Sequence, residues 1–172
     1  MAQSKFIQSV VKAAKGRPKS TQWYRDKIAE FGKPGAMDLI RDGKRNNNPF
    51  FGRLNMFFYD PKHKKKLPYY DSFPLVLPLE NYPDGFLGIN FHYLKPGERV
   101  AFLRQLSRFA SDKNFDRKTR YQIGNLSGRY FKRTIKHYLF SQVRTSFLNV
   151  MPDEMAIAIF LPVARFMKGQ PY

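Results

Sequence analysis

The residues best placed to do chemistry are cations. In RYFKRTIKHYLF, Arg129, Lys132, Arg133 and Lys136 recur at i, i+3, i+4 and i+7, which predicts four cations on one face of a helix. No acid interrupts them, so the stripe repels itself in isolation and calls for an anionic partner. A phosphate backbone is one: each Lys or Arg that meets a phosphate releases counterions, and affinity then falls steeply with salt. Arg117, Lys118 and Arg120 add charge to the same region, where Asp112 and Asp116 are the only acids between Val100 and Val150. The plainer alternative is the solvated face of a basic protein.

A second basic point is YDPKHKKKLPYY, with Lys62, Lys64, Lys65 and Lys66 held between Pro61 and Pro68. Short lysine runs match nuclear-localisation patterns loosely. This one lies inside a strand–turn–strand pattern rather than on a free tail, which makes it a turn presented to phosphates or to an acidic protein. Behind it, from Leu67 to Leu94, there is no Lys or Arg at all. That run is the sheet on which the turn is mounted, where a buried charge would cost several kcal/mol or more.

Acid–base and metal chemistry have weaker support. His63, His92 and His137 are far apart, HxxxH and HxH are absent, and a single His on a strand is usually a satisfied structural residue. A metal nuclease needs two or more carboxylate oxygens beside a lysine that polarises water. Asp71, Glu80 and Asp84 lie in a suitable sheet, but Asn81 and Tyr82 follow Glu80 where a lysine is required. Without cysteine there is no thiolate, disulfide or Cys-based metal site. No nucleotide-binding, hydrolase or kinase signature is present. The sequence therefore predicts no catalytic residue, metal or cofactor. The aromatics Phe57, Phe58, Tyr59, Tyr69, Tyr70 and Phe73 could stack on bases; such a density is more often core or subunit interface, and the interface is the favoured reading, with Pro61, Pro68, Pro74 and Pro78 stiffening the segment.

The whole composition agrees with an anionic partner. In 172 residues there are 31 Lys+Arg against 13 Asp+Glu, a formal net charge of +18. Such a balance says nothing about fold but favours nucleic acid, an anionic membrane face or an acidic protein. With 42% hydrophobic and 16% aromatic residues, the chain can bury a core and is not of disordered composition. No apolar run approaches the roughly 20 residues that span a bilayer. Gln8, Ser9 and Lys12 break the weak leader-like start, so the expectation is a soluble, unprocessed protein with no membrane partner.

The elements that must position these residues are predicted as follows. Phe6, Ile7, Val10, Val11 and Ala14 recur at helical spacing, stopped by Gly16 and Pro18. Ser20 or Thr21 caps a helix through QWYRDKIAEF, with Trp23, Ile28 and Phe31 inward. AMDLIR is a short helix, and DGKRNNNPFFG reads as a hinge. Strands follow at 53–60, at 73–80 (edge or bulged, because of Pro74 and Pro78) and at 85–94, the last two joined by an NYPDG turn. Along 86–94, Leu87, Ile89, Phe91 and Tyr93 would form the core side, opposite Phe86, Gly88, Asn90 and His92. Helices are expected over 97–111 and 129–148, and a returning strand over 155–162.

The stretch YDPKHKKKLPYYDSFPLVLPLENYPDGFLGINFHYL, its continuation ERVAFLRQL, and the C-terminal EMAIAIFLPVARF together resemble the small structural proteins of T4-like tailed phages. The matching positions run from about Tyr59 to Leu106 and from Glu154 to Phe166; the first 50 residues do not add to the resemblance. The resemblance implies a non-enzymatic virion component that shields packaged DNA termini and helps join head to tail. It brings no catalytic residues.

The sequence thus predicts an α+β fold: a small, mostly antiparallel sheet covered on one side by two main helices. Residues 1–50 are expected as a basic helical arm and 51–172 as the main domain. The expected partners are double-stranded DNA and other virion proteins, in multiple copies within a particle assembled in the host cytoplasm. A tail or baseplate component that meets acidic proteins is the alternative, and a packaging nuclease the third.

Overall fold

In a computed structural model of the chain, the described residues are 5–15, 20–32, 35–43, 45–106, 123, 133–150 and 166–169. Three helices come first: α1 (Lys5–Ala14), α2 (Thr21–Glu30) and α3 (Ala36–Asp42). Ser20 is the N-cap of α2, its Oγ accepting from the Trp23 amide at 3.1 Å, as its position predicts. Phe31, expected inside, is 43% exposed because α2 has ended before it.

The strands are β1 (Arg45–Asn46), β2 (Leu54–Met56), β3 (Tyr70–Asp71), β4 (Leu75–Tyr82), β5 (Gly85–Asn90), β6 (Ile135–Leu139), β7 (Phe147–Val150) and β8 (Phe166–Met167). Helix α4 (Pro96–Leu106) lies between β5 and β6. Six strands form one sheet in the order β1-β7-β2-β4-β5-β6, every pairing antiparallel; β3 and β8 form a separate pair. The stretch read as a hinge supplies β1, which pairs Arg45 with Leu148 and Asn46 with Phe147.

The largest correction concerns the helix expected over 129–148: residues 129–132 lie outside the described residues and 133–134 are helical, but the rest is not. Residues 135–139 and 147–150 are strands β6 and β7, and 140–142 a short 3-10 turn. The helical recurrence of cations was real in the sequence, but Thr134, Ile135, Tyr138, Val143, Thr145, Phe147 and Val150 are the branched and aromatic residues that suit a pleated surface. Pairing with β5 settled the competition: Phe86 lies opposite Tyr138, Gly88 opposite Lys136 and Ile89 opposite Ile135. The expected strand at 155–162 lies outside the described residues.

Pro78 is bulged as expected, with the β4–β5 register shifting between Pro78 and Glu80, but β4 is an interior strand rather than an edge. β2 pairs with β4 only at Leu75 and Val76, so Pro78 lies beyond that ladder and its missing N–H breaks no bond to β2. The NYPDG turn is a hairpin in which Pro83 and Asp84 link paired Tyr82 and Gly85.

Both sheet faces are covered. Leu54, Met56, Leu75, Leu77, Ile89, Leu148 and Val150 pack against Val10 of α1, Ile28 of α2, Leu39 and Ile40 of α3, and Phe102 of α4. Phe57, Val76, Phe86, Tyr138 and Phe147 form a second cluster on the opposite face. There the Phe57 ring lies 4.8 Å from Phe147, 5.3 Å from Tyr138 and 5.9 Å from Phe86. Each such side chain contributes about 1.5–3 kcal/mol by burial. The expectation of one core side for β5 is therefore corrected, since Phe86 and Ile89 are buried on opposite faces. The strand also stops at Asn90 rather than Leu94. Asn90 Oδ1 accepts from the His92 amide at 2.9 Å and folds Phe91–Tyr93 into a 3-10 turn.

Candidate nucleic-acid interface

The lysine cluster is a turn between β2 and β3, as the sequence predicts. Lys64 N donates to Pro61 O and Lys66 N to His63 O, so residues 61–66 coil tightly and Lys62, Lys64, Lys65 and Lys66 are all exposed. The turn is held from outside by the C-terminal segment. Lys168 Nζ donates to the carbonyls of Lys64 at 2.8 Å, Lys65 at 3.0 Å and Leu67 at 3.4 Å. One ammonium thus satisfies three backbone acceptors of the turn, while the ammonium of Lys64 pairs with Asp60.

Asp60 carries the turn into a neighbouring groove. Its Oδ1 pairs with Lys64 at 2.8 Å and its Oδ2 with Arg144 at 3.5 Å. The Lys64 bond draws the Asp60 carboxyl below its ordinary range, and Asp60 in turn raises Lys64. Arg144 is placed by backbone contacts: its amide donates to Phe58 O at 2.8 Å, and Asp60 N donates to Gln142 O at 3.0 Å. Phe58 N adds a bond to Thr145 Oγ1 at 3.0 Å.

Three openings adjoin here. A groove of about 730 Å³ is lined by Arg45, Asn47, Asn48, Arg144, Thr145 and Ser146 among others, a set rich in N–H and O–H donors. It shares Met37, Arg144 and Thr145 with a groove of about 480 Å³ that adds Phe58, Tyr59, Tyr70 and Met167. That groove shares Tyr59 and Tyr70 with a cleft of about 310 Å³, walled by Pro61, Leu67 and Pro68 from the stem of the lysine turn and by Tyr69, Tyr93 and Lys136. Through these shared residues the openings follow one another as a trough whose lining includes Arg45, Arg144 and Lys136.

Lys136 is half-buried in that cleft, its Nζ 4.1 Å from the centre of the Tyr93 ring, an arrangement that attracts a cation to the ring face. Burial holds its ammonium below the usual range. Beneath the cleft lies a polar network centred on Asp71 and Asn90. Asn90 Nδ2 donates to Asp71 Oδ2 at 3.0 Å and to Tyr138 Oη at 2.9 Å, and His92 Nδ1 lies 2.8 Å from Asp71 Oδ2. Phe73 N donates to Asp71 Oδ1 at 3.1 Å. Burial, and next the charge of Asp71, pushes the Tyr138 phenol well up; burial does the same for Tyr93.

From the predicted set, Lys62, Lys64, Lys65 and Lys66 lie on one turn, whose stem residues Pro61, Leu67 and Pro68 line the same cleft as Lys136. Among the described residues of the expected helical face, Lys136 is on β6 instead, while Arg133 pairs with Glu98 of α4 at 2.8 Å. Arg117, Lys118, Arg120, Arg129 and Lys132 lie outside the described residues. Arg45, Arg144 and Lys168 went unnoticed in the sequence. The one signal for Arg144 was its polar setting, SQVRTS, between two aromatic stretches.

Of the aromatics, Phe57 and Phe73 are core, while Phe58, Tyr59, Tyr69 and Tyr70 are half-buried. The carboxylates tested for metal chemistry are dispersed. Asp71 is enclosed in its network, and Glu80 and Asp84 are exposed near the tip of the β4–β5 hairpin. Among the described residues, no three His, Cys, Asp or Glu side chains stand close enough to hold a metal ion. Nor is any described helix long and apolar enough to cross a membrane.

No curated protein and no solved structure matches the chain. A family model does, over residues 4–172: that described as phage T4 terminal DNA protecting protein.

Proposed function

The chain belongs to the phage T4 terminal DNA protecting protein family, and from that membership we propose that it binds the ends of double-stranded phage DNA through the trough between Arg45 and the lysine turn. The observation that carries this reading is that Arg45 and Arg144, from separate stretches of sequence, line one groove, and that Asp60 joins Arg144 to Lys64 of the lysine turn. Cations so placed neutralise successive phosphates, while the amide and hydroxyl groups of Asn47, Asn48, Thr145 and Ser146 donate to phosphate oxygens. Such contacts fix register on a duplex without reading its sequence. The protein holds DNA and leaves its covalent structure unchanged. As a virion component it acts where the packaged end meets the head–tail connection, in several copies and beside other virion proteins.

Filter binding of a blunt-ended duplex across a salt series tests the reading. The wild-type protein binds tightly at low salt, with affinity falling linearly on a log–log plot at about −0.9 per phosphate neutralised. Changing Lys62, Lys64, Lys65 and Lys66 together to Gln, and Arg144 to Gln, weakens binding and flattens that slope. Undetectable binding at low salt overturns the reading, as does an unchanged slope in the variants; the basic surface then meets acidic protein instead.

A further inference from the structure

Phosphates alone do not tell a DNA end from its interior, because both present the same charged backbone. What only an end presents is the flat, apolar face of its last base pair. A protein that selects ends therefore needs an exposed apolar platform between cations. We infer that the groove formed by Met37, Phe58, Tyr59, Tyr70 and Met167 is that platform, capping the terminal base pair while the flanking cations hold the two strands. The inference rests on the DNA-binding reading above and adds the site at which an end is distinguished.

Met37 of α3 is 63% exposed and Met167 of β8 is 47% exposed, the two most exposed large apolar side chains among the described residues. They come from opposite ends of the chain and line the same groove of about 480 Å³. Methionine is unbranched and polarizable, and so adapts its shape to a flat aromatic face. Tyr59 and Tyr70, both half-buried, add ring surface that tolerates any base.

The surroundings specify a polyanion rather than an apolar protein surface. On one side Arg144 lines the groove and Arg45 its continuation. On the other, Lys168 follows Met167 directly and is bonded to the lysine turn. Asp60, the one acid in the groove lining, is paired with both Lys64 and Arg144 and so leaves the rim cationic.

Competition binding tests this. The probes are a blunt linear duplex and the same sequence closed at both ends by hairpin loops. The wild-type chain prefers the open duplex by about tenfold, the scale of one to two stacked bases. Met37→Gln combined with Met167→Gln, which conserves size and charge at exposed positions, removes that preference while affinity for the closed duplex stays within about twofold and the salt slope is unchanged. Arg144→Gln lowers affinity for both probes alike. Equal wild-type affinity for open and closed DNA overturns the inference and leaves DNA binding standing, as does a preference that survives the double Met variant. Loss of binding to both probes in the wild type overturns the DNA reading itself, and this inference with it.

Discussion

His92 Nδ1 lies 2.8 Å from Asp71 Oδ2, and neither side chain reaches solvent in any useful amount. Asp71 belongs to the small β3–β8 pair and His92 to the turn that follows β5. Their contact, with the Asn90 bond to the same oxygen, fastens the pair that carries the C-terminal segment to the main sheet. His92 Nε2 has no hydrogen-bond partner among the described residues.

Asp71→Ala removes the acceptor of three hydrogen bonds at once and leaves His92, Asn90 and the Phe73 amide buried without it. The expected loss is about 2–4 kcal/mol. A urea unfolding midpoint moved by that amount, with a smaller shift for Asp71→Asn, is the outcome to look for.

Stability should fall on the alkaline side. Tyr138, Tyr93 and Tyr59 all have phenols raised above 10.0, burial being the first cause in each. Below pH 10 both folded and unfolded chains keep these protons, and the contribution is intact. Above it the unfolded chain releases protons that the folded chain retains, so stability drops as pH rises toward the folded values. Lys136 opposes this, because its folded pKa lies below 10.5 and its desolvation cost is relieved as pH rises through that window. Tyr138→Phe costs about 1 kcal/mol at pH 7 through the lost Asn90 bond, and makes the decline above pH 10 shallower. Denaturant midpoints between pH 7 and 11 give both numbers.

Lys168→Ala leaves three carbonyls around the lysine turn without their donor. The effect is local, because the turn is exposed; global stability changes by no more than about 1 kcal/mol. Trypsin should cut after Lys62–Lys66 faster than in the wild type, and binding of a blunt duplex should weaken. Equal cleavage rates would show that the turn holds its shape without the C-terminal lysine.

Gly85 begins β5 so close to β6 that an added Cβ would overlap the Tyr138 carbonyl oxygen. The obstacle is backbone and cannot rotate away. Gly85→Ala should cost about 1–3 kcal/mol and disturb the β5–β6 register that places Lys136, read as a lower thermal midpoint together with weaker DNA binding. Gly97→Ala, where space is open, is the matched control.

By itself the sequence determined the local elements whose signals do not compete. The Ser20 cap, the short helix at AMDLIR, the Pro-Asp hairpin and the tight turn at Lys62–Lys66 are all found where their residues place them. Each is specified within a few residues by capping, by fixed φ or by charge that cannot be buried. It also determined the chain's general chemistry, since a net charge of +18 needs no fold to be felt.

Only the tertiary structure decided the fate of residues 133–150. There a helical spacing of cations and a strand-forming composition were both present, and pairing chose between them: residues 135–139 with β5, 46 to 54 positions away in sequence, and 147–150 with β1 and β2. The same long-range pairing produced the trough. Arg45, Asp60, Arg144 and Lys168 carry no shared pattern along the chain, and they become one surface because β1 joins β7, and because β8 joins β3 beside the lysine turn. Spacing can reveal neighbours on one element; neighbours on different elements are set by which strands pair, and that is decided by burying both faces of the sheet at once.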